Sequence, residues 1–231
     1  MTRATPRRLL RLLLRRYGPQ AWWPAESPFE VCAGAVLTQN TNWRNAARAV
    51  ARLKGAGLLD AERLAARPLR DLQRLARPAG FYRQKARTLA GVASFLRDEC
   101  GGDPRRLAGG PVAEARERLL ALRGVGEETA DSILLYAAGA PVFVLDTYTR
   151  RIARRHRLGG APESDRRLRA FFEGGLPQEA GVLGEMHALL VRVGKERCGK
   201  REPRCGGCPL EPLLPPGARP RARATKGGCD G

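Results

Sequence analysis

Asp146 ends the apolar run Val142-Phe143-Val144-Leu145 and stands directly before Thr147-Tyr148-Thr149-Arg150-Arg151. A carboxylate at that point caps the helix that follows, a contribution of about 1 kcal/mol. The cap also holds it in one orientation. Apolar neighbours that desolvate it suit it to orienting or deprotonating a water, and to stabilising positive charge that develops nearby. A second constellation lies upstream in LRGVGEETADSI, residues 122–133. Gly124 and Gly126 permit positive φ and close approach to a backbone, and the amides that open the next helix favour an anion. Glu127 and Glu128 stand where a lysine would suit that anion better. Carboxylates in a first helical turn are mildly stabilising, and a plain helical hairpin accounts for the glycines equally well. The third constellation is Cys198, Cys205 and Cys208, spaced C-x6-C-x2-C among Lys and Arg residues. In a chain read as cytoplasmic, this points to metal ligation rather than disulfides.

Helices must position these groups. Apolar residues recur at helical intervals over 9–17, 28–40, 42–54, 68–77, 83–99, 112–123 and 127–139, and later helices are expected at 147–157, 164–173 and 179–194. Gly139 is a plausible C-cap. Only 141–145 reads as a strand, short and alone. The expected architecture is all-α, with short Gly/Pro connections and a basic Pro/Gly-rich tail over 212–231 that reads as disordered. Cys32 lies in an apolar helix and reads as core, while Cys100, His156 and His187 fit no ligand spacing.

With 42 basic against 23 acidic residues the net charge is +19, and Lys54, Lys85, Lys195, Lys200 and Lys226 are the only lysines. An excess spread over the whole chain suits a polyanionic partner, nucleic acid before membrane surface, because the apolar stripes are needed for a core. No apolar run is long enough to span a bilayer. The basic segment LLRLLLRRYG reads as an amphipathic helix rather than a signal peptide, which makes a cytoplasmic protein the expectation, nucleoid-associated if prokaryotic.

The order hairpin, amphipathic helix, apolar segment, aspartate and basic helix resembles the helix-hairpin-helix, Gly/Pro-Asp superfamily of DNA glycosylases that includes endonuclease III. The resemblance covers residues from about 20 to about 208. It implies a two-lobed fold: a six-helix lobe over 26–140 with the hairpin at 112–139, and a second lobe of 1–25 plus 141–211 that carries Asp146 and the cysteine loop. The hairpin amides of Val125 and Gly126, with Gly124, would hold a DNA phosphate, and Gln39 in AVLTQNT would fill the gap left by a flipped base. Asp146 would assist water attack at the sugar of double-stranded DNA, with the protein acting as a monomer.

The bifunctional members of the family attack the sugar through a lysine where this chain has Glu128, and a carboxylate forms no Schiff base. The resemblance therefore shifts to the monofunctional branch. WWP, LTQNT with Trp43, and RPAGFYRQKA resemble the 3-methyladenine glycosylases among endonuclease III relatives, which makes alkylated purines the expected substrates. By this resemblance Trp22, Trp23 and Trp43 are pocket candidates and Lys195 a possible second catalytic residue. Bulky aromatics also pack in cores, and Lys195 fits a solvated helix end. The cysteine loop is similar to one that ligates a [4Fe–4S] cluster in the family. There the spacing continues with x5-C, but position 214 is leucine; Cys229 or Glu211 is an alternative ligand, and zinc or no metal also fits. Rival readings are a bifunctional glycosylase and AP lyase on oxidised pyrimidines, a mismatch glycosylase, and a DNA-binding relative without chemistry.

Overall fold

The computed structural model describes residues 4–160 and 164–217. The helices are α1 Pro6–Tyr17, α2 Pro28–Thr38, α3 Trp43–Gly55, α4 Ala61–Ala65, α5 Leu69–Ala76, α6 Tyr82–Cys100, α7 Val112–Leu120, α8 Glu127–Ser132, α9 Thr147–His156, α10 Asp165–Gly175 and α11 Ala180–Glu196. Local chemistry sets where they begin. The side chains of Thr5, Ser27, Asn42, Asp60, Asp146 and Ser164 each accept a hydrogen bond from an amide of the first turn, satisfying a donor that the helix itself leaves free.

The fold is all-α and two-lobed. α4 and α5 pack on α6, while α2 packs on α3 and α6. α2 is the central rod, with the run Val31–Leu37 buried without interruption. α1 instead joins the C-terminal part of the chain, against α10 and α11, and α9 packs on α11. The expected helix at 127–139 changes character midway: α8 continues as a π-turn over Ile133–Ala138, and Gly139 closes it at φ 74°. Such turns widen a helix locally and tend to lie beside functional sites.

Residues 141–145 form no strand. The segment is extended, but side chains take the place of a ladder: Glu173 accepts from the Phe143 amide at 2.9 Å, Arg169 donates to the Phe143 carbonyl at 2.6 Å, and Arg150 donates to the Leu145 carbonyl at 2.6 Å. With Val142 to Leu145 all buried, this run needs only satisfied backbone groups, not a neighbouring strand. The expected tail begins with order rather than without it, because Glu211–Leu213 makes a 3-10 turn and Leu213 is buried. Cys229 lies outside the described residues. Among those residues no helix is long and apolar enough to cross a membrane.

Candidate active site

A cleft of about 1090 Å³ opens between the end of α2, the hairpin and the head of α9. The hairpin is braced from below. Gly124 has φ 86°, and a Cβ there would lie 2.2 Å from Thr88 Oγ1, so another residue would strain the backbone and force the Thr88 side chain aside. Gln39, just past α2, donates to the Gly124 carbonyl at 3.0 Å and to Thr129 Oγ1 at 2.9 Å. The glutamine expected to reach toward DNA is thus tied to the turn expected to hold phosphate. Gly124→Ala is expected to lower the thermal midpoint by several degrees, a loss of about 1–3 kcal/mol; a melting curve checks it.

The two glutamates have different surroundings. Glu127 turns to Arg116 at 3.4 Å and Arg169 at 3.9 Å, at the edge of an ion-pair cluster around Asp131. Glu128 faces the cleft, where desolvation first and then the neighbouring Asp146 charge push its carboxyl up to about 7, with Arg150 opposing. Because the folded acid holds its proton above the ordinary value of 4.5, stability falls as pH rises from there to about 7, by an amount that solvent screening keeps small at this exposed side chain. Glu128→Gln, which cannot ionise, is expected to flatten that limb. Urea titrations from pH 4 to 8 measure it, and an unchanged slope would remove Glu128 as its source.

Asp146 is 6% exposed. Its Oδ1 accepts from the Thr149 amide at 2.6 Å, so the cap expected from the sequence forms and fixes the carboxylate. Oδ2 lies 3.9 Å from His187 Nε2. That nitrogen is buried without a hydrogen-bond partner, whereas His187 Nδ1 sits 2.6 Å from the Tyr136 hydroxyl. Burial lowers the His187 pKa, with Asp146 opposing, so the ring beside the carboxylate is neutral. Tyr136, on the π-turn, also donates to the Gly184 carbonyl at 3.1 Å.

The three tryptophans converge. Trp22 and Trp43 have ring centroids 5.8 Å apart, Trp23 and Trp43 5.6 Å, and Trp23 reaches Tyr136 at 5.4 Å. Gly34 lets the Trp23 indole lie on α2, since a Cβ would meet it at 3.3 Å. All three line the cleft with Asp146, Glu128 and Lys195. Lys195 Nζ stands 5.6 Å over the Trp22 ring. The Trp22 Nε1–H is buried without a partner.

Cys198, Cys205 and Cys208 line a separate cavity of about 70 Å³, and Leu214 at the expected fourth position lines it without a donor. Among the described residues no three Cys, His, Asp or Glu side chains are arranged to hold a single ion.

Two supports had no signal in the sequence pattern. Lys85 is only 2% exposed and donates to the carbonyls of Leu37 at 2.9 Å and Ala79 at 2.7 Å; burial lowers its pKa to about 8. It joins the end of α2, which leads to Gln39, to the loop before Phe81. Phe81 itself is 68% exposed with φ 45°, an aromatic side chain held outward on left-handed backbone. The GF step in RPAGFYRQKA was the available hint.

Residues 33–178 match the family described as HhH-GPD superfamily base excision DNA repair protein. The chain belongs to that superfamily. A Methanocaldococcus jannaschii protein assigned as a DNA repair glycosylase is 40% identical over 207 residues, covering 88% of this chain and 93% of that one. Endonuclease III of Thermotoga maritima is 30% identical, over 80% of this chain and 81% of its own. Among solved structures, the H. pylori 3-methyladenine DNA glycosylase MagIII bound to 1,N6-ethenoadenine superposes with a TM-score of 0.72 at 28% identity, covering 84% of this chain and 98% of that one. An endonuclease III trapped as a covalent DNA intermediate gives a TM-score of 0.74 at 25% identity, covering 90% and 93%. This HhH-GPD protein is therefore a DNA repair glycosylase by family.

Proposed function

We propose that this HhH-GPD protein is a monofunctional glycosylase that hydrolyses the N-glycosidic bond of an alkylated purine extruded from double-stranded DNA, acting as a monomer. The observation that carries the reading is at the cleft rim, where an exposed carboxylate, Glu128, and not an amine, stands beside the fixed Asp146. The lobes, divided as 26–140 against 1–25 plus 141–211, would flank the duplex, with the hairpin amides of Val125 and Gly126 on a phosphate. The base would lie against Trp22, Trp23 and Trp43. As the C1′–N bond breaks, Asp146 stabilises the positive sugar and takes a proton from the water that adds to C1′. A cationic base leaves neutral; a neutral adduct needs a proton, which Glu128 can hold near pH 7.

Lys195 already covers one face of Trp22. A cationic base on that face would meet its charge, so neutral adducts such as etheno bases are expected to be released at least as fast as cationic ones. Base release from duplexes carrying alkylated, etheno, oxidised-pyrimidine or mismatched bases tests the assignment. Release confined to oxidised pyrimidines would refute it.

Phe81 suits insertion between base steps, where an apolar wedge holds the duplex open. Phe81→Ala is expected to slow excision from duplex roughly tenfold, ~1.4 kcal/mol, with little change on single strands. Equal slowing on both would place Phe81 outside extrusion.

The cysteine loop is read as holding a [4Fe–4S] cluster. What supports this is that Cys198, Cys205 and Cys208 line one cavity, with Arg155 donating to the Cys198 sulfur. When bound, the cluster would brace the loop 198–208 against the end of α11. Absorbance near 400 nm in protein purified without oxygen checks it.

A further inference from the structure

The cavity walled by the three cysteines has a fourth polar neighbour. His156, the last residue of α9, lines it together with Leu214. The residue is 8% exposed, and its Nδ1 is buried with no hydrogen-bond partner. The backbone of Leu213 lies beside the ring. A neutral imidazole with its proton on Nε2 would present a lone pair at this unpartnered Nδ1. Histidines that ligate metals commonly do so while donating the second ring nitrogen to a carbonyl or carboxylate. A buried nitrogen acceptor without a donor costs free energy unless something occupies it.

The surroundings fit a site built for thiolates. Arg155, next in sequence, donates to Cys198 Sγ at 2.9 Å and to the Gly199 carbonyl at 2.8 Å, placing positive charge beside the sulfurs. Leu213, whose backbone lies beside the His156 ring, directly precedes the leucine at the position where a fourth cysteine would be expected.

We propose that His156, through Nδ1, is the fourth ligand of a [4Fe–4S] cluster held by Cys198, Cys205 and Cys208. The proposal rests on the cluster reading above. A neutral imidazole in place of a thiolate leaves the cluster one charge less negative, which raises its reduction potential.

The test uses the full chain purified without oxygen, with iron and sulfide analysis and pulsed electron paramagnetic resonance of the reduced protein. About four irons per chain and a hyperfine coupling from a directly bound nitrogen are expected. His156→Cys should keep the cluster, lose the nitrogen coupling and shift the potential negative. His156→Ala should lose iron, while Cys229→Ser should change neither iron nor coupling. The wild-type nitrogen signal decides the matter even if a variant fails to fold. A cluster without nitrogen coupling, or one lost on Cys229→Ser, would overturn the ligand while leaving the cluster reading intact. Protein free of iron and sulfide would overturn both.

Discussion

Asp146→Asn is expected to lower single-turnover base release at least a thousandfold while leaving duplex affinity within a few-fold of wild type. The asparagine keeps a carbonyl oxygen for the Thr149 amide, so the cap and the start of α9 persist. What disappears is the negative charge opposite the sugar and the acceptor for the water proton. The loss therefore falls on the chemical step and not on the fold. His187, 3.9 Å from Asp146 Oδ2, gives a control. The neutral ring packs beside the carboxylate without a hydrogen bond to it, so His187→Phe should cost far less. If Asp146→Asn released base at near wild-type rate, another group would be performing the hydrolysis.

Asp131→Ala is expected to be the most damaging substitution for stability. Asp131 is 1% exposed and takes Arg116 at 2.7 Å and Arg169 at 2.8 Å. Arg169 also donates to the Phe143 carbonyl, so one acid ties α7, α8 and α10 to the extended segment that delivers Asp146. Removing one member of a buried ion cluster strands the remaining charges, at a cost of about 3–5 kcal/mol. Glu127 stays near both arginines and recovers part of that, so a loss of about 3 kcal/mol, roughly 10 °C in the thermal midpoint, is expected. Glu127→Ala should cost much less, since that side chain is exposed. Equal losses for the two would show that the buried acid has no special place.

How far this could be read from the chain differs residue by residue. Periodicity located the principal helices, and Asp146 stood out because one acid separates an apolar run from a basic helix. The converging tryptophans agree with the pocket that the resemblance implied. The extended segment misled: its apolar residues carry the signature of a strand, and only distant Glu173, Arg169 and Arg150 reveal how its backbone is satisfied. The split between Glu127 and Glu128 was illegible for the same reason, since Arg169 approaches from another part of the chain. Lys85 looked like one more polar residue in an amphipathic helix, and its burial depends on two carbonyls outside that helix. His156 matches no spacing rule, because its nearness to the cysteines arises from how α9 packs against α11.

Trapping with borohydride tests the central claim most directly. The protein is incubated with damaged duplex and with abasic duplex, and base release, strand cleavage and covalent adduct are followed together. Water as nucleophile predicts free base and intact strands, with no adduct on either DNA. An adduct that forms as fast as base is released would show an amine at the sugar, Lys195 foremost, and would contradict the account.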